Sequence, residues 1–432
     1  MAKKLVLRPD EVRRIRRRLG ITQAEFAMRL SVDPITVARW EIGQRKCAGV
    51  YALAVSRLDP DHLPLFNEEA KKSTMDKSHT IIALFNHKGG VSKTTTAYNL
   101  GWTLSKLGKR VLMIDADPQC NLTGMTLSFA GAEDFETLYN NNPEANLFGA
   151  LRPAFESMPE RIKAVECFEV PGRPGLFLLP GHVEVASYDV PLGVAHELSG
   201  SLGVMRNLPG AISELLRACA TSLEADYVLV DMSPAISSLN QNLFMTSTHF
   251  IVPCSPDYFC ALAIDSLSKV LPRWAKWPER AIESKLFEGA AYPIPSHRPL
   301  FLGTINQRFR PRYGGPAKAF QHWIDRINVQ VKNLMVPVLK QNGMMLAEGA
   351  YSAAIVNASP YSLANISDFN SLIARSQEAN VPIFELTEEQ LKVGGKALKN
   401  TKKSRDEFAA LFETLAQSII DLTTAPGAAL AS

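Results

Sequence analysis

Apolar and polar positions alternate along this chain in two distinct styles. The first sixty residues show short helical patterns. PDEVRRIRRRL (9–19) reads as a helix, with Pro9 and the acids at 10 and 11 suited to its N-terminus and Gly20 ending it. Thr22 then caps a second helix, QAEFAMRL, with Glu25 three residues on, the spacing of a capping box. A short turn, SVD, leads to Pro34 and a third helix, ITVARWEIG. Phe26, Ala27, Leu30, Val32, Val37 and Trp40 are spaced to close one small core. After residue 79 the style changes. TIIALFN (80–86) is a β-branched, apolar run, the signature of a buried parallel strand. The next stretch switches to helical spacing through Ala97, Leu100, Leu104 and Leu107. Further apolar strands follow in 110–123, 226–237 and 301–311, the last expected to end at Asn306, and 249–267 reads as a strand and the helix after it. The chain closes on RDEFAALFETLAQSIIDL, whose apolar residues at 408, 411, 412, 415, 419 and 422 form a one-sided stripe that reads as core. Strands alternating with helices predict an α/β fold, a mostly parallel sheet with helices on its faces. We expect a small all-α domain over 1–64, a linker over 65–78 and the α/β domain over 79–425. The linker region mixes Pro, Asp, Lys and Ser with little periodicity.

The chemistry concentrates where strand gives way to helix. FNHKGGVSKTTTAYN (85–99) is a Gly-rich turn between the two. Backbone N–H groups of Gly89, Gly90, Val91 and Ser92, with the helix N-terminus, suit a phosphate cradle. Lys93 would neutralise the outer phosphates, Thr94 would offer its hydroxyl to Mg²⁺, and Thr95 follows in the same turn. The strand at 110–123 ends on Asp115 and Asp117, the strand at 226–237 on Asp231. Strand-end acids cap turns as well as bind metal, and the upstream loop favours the second role.

These residues resemble the deviant phosphate loop, K-G-G-x-G-K-[ST]-T, of the ParA/MinD family of ATPases. DADPQCN matches that family's D-x-D-P-Q-G-N, and Pro256–Phe259 matches its P-[ED]-Y-F. This sequence departs at Ser92 and Cys120, both glycines in the family, and the region 270–300 looks like an insertion. The resemblance implies ATP and Mg²⁺ as ligands. It assigns Asp117 to the attacking water, and Asp115 and Asp231 to the Mg²⁺ shell. Asn306 would meet the base, Pro256 would belong to the nucleotide site, and NQRF lacks the Asp of a guanine reader. It also implies that Lys88 reaches across an ATP-dependent homodimer to the partner's nucleotide; the alternative is a lysine held by local groups. Ser92 is expected to preserve binding and to slow hydrolysis. The first fifty residues resemble the lambda-repressor-like helix-turn-helix family. That likeness points Gln23 at backbone phosphate and Thr36 and Arg39 at bases; a module kept for dimerisation is the alternative.

Charge sharpens the picture. The net charge is +4, yet residues 1–58 hold 13 Lys/Arg against 5 Asp/Glu, so the remainder is acidic overall. A basic module suggests a polyanion partner. Arg308, Arg310, Arg312 and the run 392–405, with Lys402 and Lys403, are candidates for non-specific DNA contact. The run is otherwise a solvated loop. The six cysteines form no CxxC pair, which argues against zinc or a disulfide framework. No apolar run approaches a membrane helix, and a cytoplasmic, nucleoid-associated protein is expected. Two functions fit. One is a DNA-partition ATPase stimulated by a ParB-like adaptor, its helix-turn-helix repressing its own operator. The other is an ATP-switched regulator, or a mobile-element or defence component, with slow hydrolysis.

Overall fold

The computed structural model describes residues 6–29, 32–48, 55, 79–127, 132–197, 203–285, 287–312, 315–357 and 359–425. The expected linker at 65–78 and Leu30 lie outside them. The chain divides into two compact units, Met1–Lys77 and Ser78–Ser432.

In the first unit, helices span Pro9–Arg18, Gln23–Arg29 and Pro34–Glu41. Strands β1 (Val6–Leu7) and β2 (Cys47–Ala48) pair antiparallel. The second helix starts on a reciprocal capping box. Glu25 N–H donates to the Thr22 hydroxyl at 3.2 Å, and Thr22 N–H donates to the Glu25 carboxylate at 2.7 Å. Asp33 caps the third helix by accepting from Ile35 N–H at 2.7 Å. Val12, Ile15, Phe26, Ala27, Val37 and Trp40 are buried together.

The second unit is built on one eight-stranded sheet. Its strands are β3 (Thr80–Leu84), β4 (Val111–Ala116), β5 (Phe168–Glu169), β6 (Leu176–Leu179), β7 (Tyr227–Met232), β8 (His249–Cys254), β9 (Leu300–Phe309) and β12 (Ser362–Ser367). A small separate hairpin pairs β10 (Pro311–Arg312) with β11 (Gly315–Pro316). The sheet order is β12-β9-β8-β3-β7-β4-β6-β5, parallel throughout except for β5. Strand period 2 divides β3 between the two cores: Ile81 and Ala83 face one, Ile82 and Leu84 the other. Helices Leu208–Ser222 and Tyr258–Ala275 cover the first face; helices Lys93–Lys106 and Gly395–Thr424 cover the second. Gly101 permits the close approach of the Lys93–Lys106 helix, since a Cβ there would meet the Met113 sulfur at 2.9 Å.

Two expectations change. β9 runs three residues beyond Asn306, because its outer residues still pair with β12. The basic run at 392–405 is not a loop: the terminal helix begins at Gly395 and carries Lys402 and Lys403 on its early turns. β3 sits between β7 and β8, where strand order reverses in both directions. The crevice at such a reversal, beyond the carboxyl ends of the strands, is where open α/β sheets bind ligands.

Candidate nucleotide-binding site

The loop after β3 lies at that crevice and opens on a cavity of about 700 Å³. Gly90, Val91, Ser92, Lys93, Thr94 and Thr95 line one wall. Asp117, Gln119 and Cys120 also line the cavity, as do Arg308, Gln377 and Asn380. Ser92 is the N-cap of the Lys93–Lys106 helix and sits in the left-handed region, φ 57° and ψ 35°. Its carbonyl accepts from Thr96 N–H at 3.0 Å and from the Thr96 hydroxyl at 2.8 Å. Cys120 has φ 52°. Both departures from glycine therefore adopt a backbone that glycine adopts without cost.

Lys93 is buried, and its Nζ donates to the Asn86 carbonyl at 3.2 Å. Burial lowers its pKa, opposed by the charges of Asp231 and Asp117. Asp231 is completely buried, and burial together with nearby Asp115 raises its pKa. Neither Asp231 carboxylate oxygen has a hydrogen-bond partner of normal geometry, although the neighbouring Thr94 hydroxyl favours its charged form. An orphaned carboxylate beside a hydroxyl is a donor set that a hard cation satisfies. Mg²⁺ needs only one or two carboxylates, the rest of its shell being water and phosphate. That fits the finding that no cluster of three His, Cys, Asp or Glu side chains is placed for a metal among the described residues.

Asp115 is engaged within its own turn. Its Oδ2 accepts from Thr123 N–H at 2.8 Å and from the Thr123 hydroxyl at 2.6 Å, and its Oδ1 accepts from Asp117 N–H at 3.3 Å. Burial pushes its pKa up to about 6. It buttresses the turn that presents Asp117. Asp117 lies at the cavity wall, with Oδ1 accepting from Gln119 N–H at 3.0 Å.

Other sequence-predicted residues lie elsewhere. The Lys88 ammonium pairs with Asp257 of its own chain. Gly89 is exposed and faces Pro234. Asn306 is fully buried, with its Nδ2 donating to Asn365 Oδ1 at 2.9 Å, and Pro256 is buried; neither lines the cavity. Arg308 does line it, donating from Nη1 to the Gly90 carbonyl at 3.0 Å. Arg310, just before β10, and Arg312, within it, are exposed. Lys402 pairs with Glu388 and Lys403 with Glu407, so acids from outside and within the helix temper the basic run. In the first unit, Thr36 is half-buried and Arg39 exposed, while Gln23 donates to Glu41 Oε2 at 2.8 Å.

Gln377 and Asn380 escaped the sequence reading, because SQEAN belongs to no motif. Only the fold brings them here, through Tyr98 of the loop helix, whose hydroxyl donates to the Asn380 carbonyl at 3.1 Å. Gln119 and Cys120 were adjacent to the predicted acids and could have been included on that ground.

Family models match at two places: an AAA domain over residues 79–283 and a helix-turn-helix over residues 12–49. The chain carries a ParA/MinD-like domain behind a helix-turn-helix domain. The ParA/MinD-like domain is similar to the chromosome partitioning protein ParA of Caulobacter vibrioides, 29% identical over 45% of this chain and 62% of that protein. It is 27% identical to the sporulation initiation inhibitor protein Soj of Bacillus subtilis, over 44% of this chain and 63% of that one. With the chromosome-partitioning ATPase Soj of Thermus thermophilus it shares 32% identity, over 44% and 60%. The chain thus spans about three fifths of the length of the curated relatives it matches. Among solved structures, pNOB8 ParA bound to nonspecific DNA is 18% identical, with a TM-score of 0.46 over 80% of this chain and 99% of that one. Pyrococcus furiosus cell division ATPase MinD is 17% identical, with a TM-score of 0.42 over 80% and 100%. Among the described residues no helix is long and apolar enough to cross a membrane.

Proposed function

We propose that residues 79–425 form a Mg²⁺-dependent ATPase of the DNA-partition type. The observation that carries this is the loop after β3 at the strand-order reversal, with Lys93 and Thr94 in the cavity wall and the buried, unbonded Asp231 carboxylate beside Thr94. Relatives named for chromosome partitioning support the type of ATPase. Loop N–H groups and Lys93 bind the phosphates; Thr94 and Asp231 would hold Mg²⁺. The ion would supply charge neutralisation on the outer phosphates. Asp117, at the cavity wall and fixed by Gln119 N–H, orients the attacking water. ATP-bound copies pair, Lys88 leaving Asp257 for the second copy's nucleotide. The dimer holds DNA in the nucleoid non-specifically, through Arg310, Arg312, Lys402 and Lys403. A ParB-like adaptor stimulates hydrolysis. The helix-turn-helix reads an operator through Thr36 and Arg39. Gln23 contacts backbone phosphate only by leaving Glu41.

Lys93→Ala is expected to abolish ATP-dependent retention of the full chain on DNA, read by electrophoretic mobility with Mg²⁺ present. Unchanged retention would overturn the proposal. A second reading, an ATP-switched regulator with slow turnover, is favoured by one feature: both glycine departures sit at positive φ on the cavity wall. Turnover that stays very low with DNA and neighbouring proteins added, alongside nucleotide-sensitive operator binding, selects it.

A further inference from the structure

We propose that Arg308 is a nucleotide-binding side chain, lifted by a bulge in β9 to the nucleoside end of the cavity. The inference rests on the nucleotide reading of that cavity. The β9–β12 ladder pairs Ile366 with Gln307 and Ser367 with Phe309, which leaves Arg308 as an extra residue. Its φ is 63°, in the left-handed region. Such a backbone is unfavourable for any residue with a Cβ, and it persists where its surroundings hold it. Bulges beside functional sites re-aim a side chain that regular pleating would send elsewhere.

The surroundings do hold it. Arg308 Nη1 donates to the Gly90 carbonyl at 3.0 Å, while the preceding Gln307 donates from Nε2 to the Val91 carbonyl at 3.4 Å and to the Thr96 hydroxyl. Two consecutive residues of β9 thus clasp the phosphate loop. Arg308 nevertheless stays exposed, and among the described residues it has no carboxylate partner. A guanidinium has five N–H donors, and one bond to Gly90 leaves its plane and its other donors for a ligand.

Topology says which part of the ligand. Lys93 and Thr94 follow β3, and Asp231 ends β7; they mark the outer-phosphate end. Arg308 comes from the opposite side of β3, from β9, in the company of Gln377 and Asn380, which follow β12. A nucleotide laid with its outer phosphates at Lys93 runs its ribose and base toward that trio. Asn306 gives its Nδ2 to Asn365 inside the sheet and does not line the cavity. A planar guanidinium over the cavity stacks on a nucleobase, which a lysine ammonium cannot do.

The test is calorimetric titration of the full chain with Mg²⁺ and either a non-hydrolysable ATP analogue or ADP. Arg308→Gly suits the backbone and removes only the side chain, so it should melt no lower than wild type. We expect it to bind both nucleotides about tenfold more weakly, because the contact is made before the third phosphate. Arg308→Lys keeps the charge and the reach to Gly90 and should recover only part of the loss. Wild-type affinity in Arg308→Gly overturns the inference, as does a loss confined to the triphosphate, or full recovery with lysine. Loss of DNA retention at saturating nucleotide, with affinity unchanged, would return Arg308 to a DNA surface and also overturn it. Failure of the wild type to bind either nucleotide would instead overturn the nucleotide reading beneath.

Discussion

Ser92 and Cys120 stand where the resembling family has glycine, and both pay for a Cβ with a left-handed backbone, φ 57° and 52°. The strain at Ser92 is held by the two bonds its carbonyl accepts from Thr96. The left-handed conformation costs a residue with a Cβ roughly 1–2 kcal/mol, while glycine gives back part of that through its freer unfolded chain. Ser92→Gly should therefore stabilise the protein by up to about 1 kcal/mol, read as a higher urea midpoint with an unchanged slope. Because the same residue flanks the phosphate cradle, the substitution should also raise ATP turnover while nucleotide affinity stays close to wild type. Stability that does not change would mean that Ser92 is not strained, and the explanation for slow hydrolysis would fall with it.

At the scale of elements, the first unit depends on a buried charge. Glu41, at the end of the third helix, is 3% exposed. It accepts from Arg16 Nε at 2.6 Å and Arg16 Nη2 at 3.1 Å, besides Gln23. Burial raises its pKa, but the bonds from Arg16 and Gln23 and the charge of Arg13 outweigh burial and leave it lowered. A lowered carboxylate pKa contributes stability above its unfolded value, and that contribution is lost as pH falls through the folded value. The unit should thus loosen below about pH 4.5, the ordinary value of a glutamate. Glu41→Ala leaves the Arg16 guanidinium unpaired and should cost roughly 3 kcal/mol. Faster tryptic cleavage among the arginines of 13–18 in the full chain would report it; wild-type cleavage would count against it. None of this was legible in sequence, where Gln23 and Glu41 are 18 residues apart. The elements themselves were legible, because apolar period and caps such as Thr22–Glu25 are local. Asn306 was misjudged for the same physical reason: a strand's end is decided by its neighbour, and β12 carries β9 on to Phe309. In sequence Arg308 reads as one of a basic cluster; the register shift that leaves it unpaired in the β9–β12 ladder is set by β12 and is not local.

For the molecule as a whole, the question is what Lys88 does when a second copy is present. Alone, it is tied to Asp257, which also caps the Tyr258–Ala275 helix by accepting from Cys260 N–H at 2.9 Å. Beside this pair the helix opens with Tyr258, Phe259 and Leu262, which are 50%, 68% and 49% exposed. Exposed apolar residues next to a charged lysine suit a face that another copy covers. A triphosphate offers Lys88 more negative charge than one carboxylate, so in the proposed dimer ATP on the second copy would compete with Asp257, and ADP would compete less. Lys88→Ala should keep nucleotide affinity within about twofold and lose ATP-dependent dimerisation, a difference of under half a kcal/mol against one of several. Asp257→Asn should act in the opposite direction. Asparagine still caps the helix but no longer holds the ammonium, so dimers should form at lower ATP concentration. Sedimentation velocity with ATP analogue, ADP and no nucleotide separates the cases. Dimers of Lys88→Ala that match wild type would leave Lys88 a local structural lysine. An Asp257→Asn protein that needs as much ATP as wild type would show that the carboxylate does not restrain it.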